Sequence, residues 1–321
     1  FAWRRRELSL GAAMRLGAGL VVLIGVGSYA VMLAFWPWAQ VRPLVNPWLA
    51  FQEAAKFRWN GEVAFGGGWV SANDLPWDYV PRLLAIQTPE AWLLGLGLAL
   101  VCMRTLWRST GRRARIPLLL VVVAALLPVG FVMGTHAVLY DNLRHLLFVL
   151  PPLAILSALG WNALATRLQD RVWEKAVPLV GAAVLALPAI ALVRLHPYEY
   201  TYYNELVGGP EHAFERYEAD YWFQSGWEAL ELLEARLAEE PAQDEPFRIY
   251  SPGFHYLVGI FVRSRPNLRF VGKEDVADFV AVTTRIDADQ AIAGETIVRV
   301  GRYGKDFFVI KDRRKLRLAP K

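Results

Sequence analysis

Long apolar runs separated by short basic stretches dominate the chain up to residue 195. A helix that crosses the ~30 Å hydrocarbon core of a bilayer needs about 20 apolar residues. Five runs approach that length, although the second carries Arg104 near its end and the fourth contains Pro151 and Pro152. We predict five transmembrane helices: one between Arg15 and Arg42, then Ala91 to about Trp107, Ile116 to about Gly134, Leu146 to about Thr166, and Ala176 to Val193.

After residue 195 the pattern changes to short apolar segments separated by Gly, Pro and charged residues. Alternation with a period of two is typical of strands, whereas apolar residues three and four positions apart are typical of helices. In chain order these patterns predict a helix over Ser225–Glu240, a strand over Phe247–Tyr250, a helix over Tyr256–Arg263, a strand over Ala277–Thr283 and a hairpin over Thr296–Ile310.

Together the two patterns predict the fold class and the domains. Residues 1–195 are predicted to form an α-helical polytopic membrane domain of about five transmembrane helices, with an outer loop at about 39–90. Residues 196–321 are predicted to form a small extracytoplasmic α/β domain. If the outer loop covers a substrate, residues around 48–58 are predicted to form an amphipathic helix within it.

Composition and charge agree with this division. Hydrophobic residues make up 55% of the 321 positions and charged residues only 20%. Residues 1–195 contain 18 Lys and Arg with 9 Asp and Glu, whereas residues 196–321 contain 17 and 21. A sparsely charged membrane region followed by a water-soluble domain accounts for this difference. The single cysteine, Cys102, excludes an intrachain disulfide and a metal site built from cysteines.

The distribution of positive charge predicts the orientation of the chain in a lipid bilayer. The net charge of +5 comes from short loops between apolar runs, so we predict no nucleic-acid partner. Alternate loops hold 12 Lys and Arg on one side of the bilayer and five on the other, or six with Arg194. Because loops rich in Lys and Arg stay in the cytoplasm, the domain after residue 195 is predicted to lie outside.

The predicted spans contain few ionisable side chains, which disfavours an ion-coupled transporter. Polar residues cluster instead in three places at the predicted outer face. The first is the outer loop, which contains Gly66–Gly68 and the string Leu75-Pro-Trp-Asp-Tyr-Val-Pro81. Its aromatic residues, Trp77 and Tyr79 among them, fit either an anchor to lipid headgroups or a loop that covers a substrate, with glycines that allow close backbone approach.

The second cluster is Tyr140-Asp-Asn-Leu-Arg-His145, between the third and fourth spans. An arginine on this side runs against the charge bias, so its presence requires an explanation. Two interpretations are open: Arg144 forms a local ion pair with Asp141, or Arg144 and His145 bind an anionic lipid phosphate at headgroup depth. The planar guanidinium offers several donors to phosphate oxygens, which suits the second role.

The third cluster is His196-Pro-Tyr-Glu-Tyr-Thr-Tyr-Tyr-Asn-Glu-Leu-Val-Gly-Gly209, directly after the last predicted span. A tyrosine cluster at this position is typical of an interfacial belt, whereas Asn204 and the Gly-Gly pair suggest a more ordered structure. The nearby Asp220 is open to two interpretations, a structural role or contact with a sugar.

These three strings, in this order, resemble those of bacterial membrane glycosyltransferases with the multi-spanning C-type fold, in the protein mannosyltransferase-like and aminoarabinose-transferase-like group. The resemblance covers roughly residues 35 to 225. It implies transfer of a sugar from a polyprenyl-phosphate donor to a glycan, lipid or protein acceptor, at the outer face of a bacterial plasma membrane and with inversion at the anomeric carbon. The candidate substrate-binding residues are Trp77, Tyr79, Tyr140, Asp141, Arg144, His145, His196, Tyr198, Asn204 and Asp220.

The chain departs from this group at Asp78, where the group usually has a tyrosine, and in its acidic catalytic motif. The acidic catalytic motif of the group lies in its first outer loop, near the N-terminus, and nothing here matches it. We therefore expect the chain to be a C-terminal portion, with the catalytic acids, and any divalent metal ion that they bind, upstream of Phe1. No catalytic residue, metal ligand or cofactor is assigned within the chain. The alternative function is that of a non-catalytic, membrane-anchored subunit for glycan binding or envelope assembly.

Overall fold

A computed structural model describes residues 10–55, 59–168, 171–241, 243–253 and 255–318. The chain divides into two compact units, with the boundary between Trp59 and Asn60. The predicted domain boundary at residue 195 lies inside the second unit.

The first unit is helical. It consists of α1 (Leu10–Phe35), α2 (Pro37–Val41) and α3 (Asn46–Ala55). Residues 15–35 of α1 are long and apolar enough to cross a membrane, as predicted for the first span. The predicted amphipathic helix overlaps α3, on which Trp48 and Phe51 are both exposed and stack with ring centroids 5.5 Å apart. Residues 56–58 of that prediction lie outside the described residues.

The second unit begins with a β-hairpin that the sequence analysis did not predict. Strands β1 (Glu62–Phe65) and β2 (Gly68–Ser71) pair in antiparallel fashion. The two residues between them, Gly66 and Gly67, have φ values of +67° and +91°. Two consecutive left-handed residues form the tight turn that matches the twist of a hairpin, and glycine adopts that conformation without steric cost.

The helices that follow are α4 (Tyr79–Gln87), α5 (Glu90–Val101), α6 (Met103–Ser109), α7 (Arg112–Thr135), α8 (Leu150–Arg167) and α9 (Arg171–Leu195). Three stretches are long and apolar enough to cross a membrane: 114–135, 144–167 and 176–195. They confirm, in length and composition, the third, fourth and fifth predicted spans. With α1, the part of the chain that the structure describes therefore contains four such helices, or five if α4 and α5 form one bent span.

The second predicted span, Ala91 to about Trp107, is not a single helix. Helix α5 ends at Val101, and Cys102, with φ −90° and ψ 6°, separates it from α6. The 12 residues of α5 reach only about 18 Å at 1.5 Å per residue, less than the ~30 Å of a bilayer core. Before Pro89 the chain is extended at Thr88, as expected of a residue that precedes proline, and α4 and α5 meet there at 114°.

Helices α5 and α8 approach closely through glycine. A Cβ atom on Gly160 would lie 1.9 Å from the carbonyl oxygen of Gly95, so neither position accepts a side chain without separating the helices. The indole of Trp161 donates to the carbonyl of Ala91 at 2.8 Å across the same contact. This packing fixes α8, whose N-terminal end carries Arg144 on a preceding 3₁₀ turn, Arg144–Val149.

The C-terminal part folds as a mixed α/β domain, as predicted. Its strands are β3 (Phe247–Tyr250), β4 (Leu268–Phe270), β5 (Phe279–Thr283), β6 (Glu295–Arg302) and β7 (Lys305–Asp312), and its helices are α10 (Gly209–Ala213), α11 (Ser225–Leu237), α12 (His255–Val262) and α13 (Arg314–Leu318). The strands form one sheet in the order β4-β3-β5-β7-β6, in which β3 is parallel to both of its neighbours and β7 is antiparallel to both of its own. The two predicted helices, the two predicted strands and the hairpin are thus confirmed, and β4, α10 and α13 are additional.

Strand β5 is the centre of this domain and positions the loop that follows it. All five of its residues are buried. Val280 and Val282 belong to one apolar cluster with Ala277, Ile292 and Val309. Because β5 is fixed by packing along its whole length, the residues directly after it, 284–287, leave the sheet at a defined position.

Candidate functional site

The loop between α7 and α8 is held in an uncommon backbone conformation by buried hydrogen bonds. Asp141 and Asn142 both have positive φ values, 58° and 60°, a left-handed conformation that is uncommon outside glycine and that Asp and Asn tolerate best. The side-chain amide of Asn142 donates to the hydroxyl of Tyr203 at 2.9 Å, and that hydroxyl donates to the carbonyl of Glu218 at 2.8 Å. The loop is therefore fixed against the segment that precedes α11.

Four charged side chains from distant parts of the sequence form an ion-pair chain at this loop. Arg144 Nη1 lies 2.6 Å from Asp141 Oδ2, and Arg285 Nη1 lies 3.5 Å from Asp141 Oδ1. Arg285 Nη2 also contacts Glu218 Oε1 at 2.7 Å. The side chains of Asp141 and Glu218 are only 8% and 2% exposed, and that of Arg285 14%. Two guanidinium groups thus neutralise two buried carboxylates.

Burial is the dominant electrostatic effect on these carboxylates. It raises the pKa of Glu218 and of Asp141 above their ordinary values, and Arg285 opposes the rise at both. The backbone amide of Ala64, on β1, also donates to Glu218 Oε1 at 2.9 Å. Arg285 is therefore the shared counter-ion of two carboxylates that have lost most of their contact with water.

Arg144 is the most accessible member of the ion-pair chain, with 30% of its side chain exposed. Its guanidinium lies over the ring of Tyr140, 4.6 Å from the centroid, and 5.9 Å from that of Trp222. Arg144 Nε donates to His145 Nε2 at 3.3 Å, and the rings of Tyr140 and His145 meet edge to face. Three predicted residues, Tyr140, Asp141 and His145, thus contact the guanidinium of the fourth, Arg144, which is a partly exposed cation suited to binding an anion.

The local ion pair that sequence analysis considered for Arg144 is present in the structure. One of its terminal nitrogens contacts Asp141 at 2.6 Å, and the other lies 3.4 Å from the Tyr140 hydroxyl. An ion pair with one oxygen of a carboxylate does not use all five donors of a guanidinium. Binding of a phosphate by Arg144 stays a prediction.

Asp220 lies in a neighbouring buried cluster, where its contacts are structural. Its carboxylate accepts hydrogen bonds from the hydroxyls of Tyr200 and Ser225, and from the backbone amides of Ser225 and Gln224, each at 3.2 Å. Burial raises the pKa of Asp220, and these hydrogen bonds oppose that rise. The two amides belong to the start of α11, so Asp220 stabilises the N-terminus of that helix.

Three further candidates are buried and hold the fold together. Tyr198 is fully buried, donates to Glu228 and lies under the guanidinium of Arg302. The side-chain amide of Asn204 donates to the carbonyls at 85 and 88, at 2.7 and 2.8 Å, and so ties the third cluster to the end of α4. Tyr79 packs against Phe65 of the hairpin with ring centroids 5.0 Å apart.

Two candidates are exposed. The side chain of His196 is 76% exposed and pairs with Glu199 at 2.6 Å. Trp77 is 79% exposed and lines a small depression beside the C-terminal end of α7. The structure therefore places both residues at the surface rather than among the buried members of the ion-pair chain.

A cavity of about 290 Å³ lies beside the ion-pair chain. Its walls are the β1–β2 hairpin, residues 214–220, residues 283–287 at the end of β5 and in the loop after it, and residues 305–307 at the start of β7. Glu218 and Arg285 belong both to this wall and to the ion-pair chain. The cavity and the exposed face of Arg144 are therefore connected through two intervening ion pairs.

Two members of the ion-pair chain, Glu218 and Arg285, were not predicted from the sequence. Glu218 lies in the run Tyr217-Glu-Ala-Asp-Tyr-Trp222, but only Asp220 was selected from it. Arg285 comes two residues after the end of β5, which was predicted correctly, and residues that follow central strands commonly carry function. The position of Arg285 directly after a central strand is therefore the signal from which its role could have been predicted.

Across the described residues, no group of three or more His, Cys, Asp or Glu side chains could hold a metal ion. None of the family models, curated proteins or solved structures with which the chain was compared matches it.

Proposed function

We propose that this chain belongs to a membrane glycosyltransferase of the C-type fold, which moves a sugar from a polyprenyl-phosphate donor to a glycan, lipid or protein acceptor. The reaction takes place at the outer face of a bacterial plasma membrane. The observation that carries the proposal is the partly exposed guanidinium of Arg144, which lies at the end of an apolar, membrane-length segment and is linked through Asp141 and Arg285 to a polar cavity.

The chemistry of such a reaction needs a cation at this depth. The leaving group is a lipid phosphate, whose negative charge increases in the transition state and is stabilised by fixed donors. Arg144 precedes the apolar stretch of α8 within the same membrane-length segment, 144–167, which is where a phosphate attached to a polyprenyl chain would lie. Tyr140, His145 and Trp222 surround the guanidinium and limit its movement.

The donor pool provides a test that works whichever sugar and acceptor the protein uses. In a strain that lacks the gene, the polyprenyl-phosphate-linked sugar should accumulate several-fold, because its consumption stops. Mass spectrometry of extracted lipids measures this pool and identifies the sugar by mass. Expression of the wild-type gene should return the pool to its normal size. An unchanged pool of every polyprenyl-linked sugar would contradict the transferase.

The proposed orientation has its own test. The loops on one side of the bilayer hold 12 Lys and Arg and those on the other hold five or six, which predicts that the domain after residue 195 lies outside. A reporter enzyme that is active only outside the cytoplasm should be active when fused after Lys321. The same reporter fused after Leu168, between α8 and α9, should be inactive and serves as the control. A reversed pattern would exclude both the topology and a reaction at the outer face.

The second candidate function is a membrane-anchored glycan-binding or envelope-assembly subunit without transferase activity. The cavity favours it, because aromatic and polar side chains line a space of about 290 Å³. The two candidates differ in the deletion experiment: loss of a binding subunit leaves the donor pool unchanged, whereas loss of the transferase enlarges it.

A further inference from the structure

The cavity beside the ion-pair chain has fixed walls. The backbone amide of Gly67 donates to the carbonyl of Arg216 at 3.0 Å, which joins the hairpin turn to the segment before α11. Ala64 of β1 donates to Glu218, and Arg285 Nη2 lies 3.4 Å from the carbonyl oxygen of Glu62. Three separate hydrogen bonds thus hold the hairpin against the α/β domain, so that the space between them is preformed.

The size of the cavity suits a small ligand. Its volume of about 290 Å³ is at the lower end of the roughly 300–1,000 Å³ typical of small-molecule sites. Gly67 and Gly68 provide bare backbone on one wall, and a Cβ atom added to Gly68 would meet nothing within 4 Å. One or two sugar rings fit this space, whereas a large cofactor does not.

The charged residues of the lining are mixed, with more carboxylates than cations. The carboxylates are Glu215, Glu218, Asp220, Asp287 and Asp306, and the cations are Arg216, Arg285 and Lys305. Glu218 is paired with Arg285, and Asp306 with Arg299, which lies outside the lining. The lining therefore has no excess positive charge with which to select a phosphate or another anion.

The same lining matches the chemistry of a neutral sugar. Trp69, which is 40% exposed, supplies an aromatic surface against which the C–H face of a pyranose can pack. Carboxylates accept hydrogen bonds from sugar hydroxyls, and ammonium and guanidinium groups donate to them. A mixture of both charges around an aromatic surface therefore satisfies hydroxyl groups that both donate and accept.

We propose that this cavity binds a neutral sugar unit of the acceptor. That the sugar belongs to an acceptor rests on the proposed transferase function, whereas the binding of a sugar does not. The bound sugar contacts the wall formed by Glu218 and Arg285. Through Asp141, these residues are linked to Arg144, where the donor phosphate binds. The ion-pair chain thus lies between the two substrates and orients them towards each other.

Saturation-transfer NMR on the full chain in nanodiscs tests this site. The discs contain phosphatidylethanolamine and phosphatidylglycerol, since sugar-headed detergents would compete. The probes are the methyl glycosides of glucose, mannose and galactose, and the disaccharide cellobiose. We expect saturation of ring protons in at least one probe with the wild-type protein. Trp69→Ala should weaken that binding about tenfold, through loss of the aromatic contact. Ala64→Phe should abolish it by filling the space, because Ala64 pairs with Trp69 across the hairpin and its side chain shares the same face.

The matched control is Trp227→Ala. Trp227 is 42% exposed, like Trp69, but lies on α11 against Phe261 and Arg265, outside the cavity lining. Its replacement should leave saturation unchanged. The site is overturned if no probe receives saturation from the wild-type protein, or if Trp69→Ala and Ala64→Phe, shown to be folded by circular dichroism, both bind as the control does.

The result of this sugar-binding experiment is independent of the result of the donor-pool experiment. If the deletion leaves every polyprenyl-linked sugar unchanged but the cavity variants lose sugar binding, the transferase is wrong and the sugar site remains. If the donor accumulates but no sugar binds the wild-type cavity, the transferase remains and the sugar site is wrong. Competition by inorganic phosphate for the same signals would assign the cavity to an anion and overturn the neutral-sugar assignment.

Discussion

Replacement of Arg285 by alanine is expected to lower the free energy of unfolding by about 3–5 kcal/mol, because it leaves two buried carboxylates without their shared counter-ion. Arg285 contacts Glu218 at 2.7 Å and Asp141 at 3.5 Å, and these carboxylates are 2% and 8% exposed. Asp141 retains Arg144 in the variant, whereas Glu218 retains only the amide of Ala64. Denaturant titration of the protein in detergent micelles measures the loss.

The control for this experiment is Arg299→Ala. Arg299 pairs with Asp306 at 2.5 Å, but its side chain is 61% exposed, and exposed pairs contribute about 0–1 kcal/mol. A double variant, Glu218→Gln with Arg285→Met, should recover part of the loss, because the uncompensated carboxylate is removed together with its partner. Equal destabilisation by Arg285→Ala and Arg299→Ala would mean that the ion-pair chain does not stabilise the fold.

The loss in the Arg285→Ala variant should depend on pH. Burial raises the pKa of Glu218, and Arg285 opposes that rise, so the pKa in the folded variant is higher still. A carboxyl group whose pKa is raised by folding keeps its proton in the folded state when the unfolded chain has released it. The free energy of unfolding of the variant is then highest below the ordinary glutamate pKa of about 4.3, and it falls as the pH rises towards neutral. The variant should therefore approach wild-type stability in acid.

The membrane helices could be predicted from the sequence because the requirement is local. About 20 apolar residues without charges suffice to cross a bilayer, whatever the helix packs against. The break at Cys102 was not detected from the sequence, because Val101, Cys102 and Met103 are all apolar and the charged residues of α6 begin only at Arg104. Where α5 ends is determined by tertiary structure rather than by hydropathy.

The candidate site could be predicted only in part, because its contacts join residues that are distant in sequence. The pair of Asp141 and Arg144 is local, three positions apart, and was considered from the sequence. The contacts of Arg285 with Asp141 and Glu218 join positions 144 and 67 apart, and no local pattern reports them. The hairpin that forms one wall of the cavity was missed, although Gly66 and Gly67 between short apolar segments are a usable turn signal.

Arg144→Ala is expected to weaken binding of the polyprenyl-phosphate donor by about 1.5–3 kcal/mol, which corresponds to roughly 10- to 150-fold in affinity. The reason is loss of a charge-assisted contact between the guanidinium and the phosphate. Arg144 is 30% exposed. Each of its guanidinium nitrogens has one partner, Asp141, Tyr140 or His145, so one N–H of each terminal nitrogen remains for a phosphate. Arg144→Lys should restore binding only in part, since a lysine retains the charge but not the fork.

Titration with a polyprenyl phosphate and with the matching polyprenol separates this role from the local ion pair. The two lipids share the same tail, so only the phosphate should distinguish wild-type protein from Arg144→Ala. Arg263→Ala, at an exposed position of the α/β domain, serves as the control and should bind both lipids normally. If Arg144 acts only as the partner of Asp141, Arg144→Ala should lose stability yet keep wild-type affinity for the phosphate. If Arg144 binds phosphate, the affinity of the Arg144→Ala variant for the polyprenyl phosphate should fall to its affinity for the polyprenol. Asp141→Asn, which frees the guanidinium, should retain the preference for the phosphate.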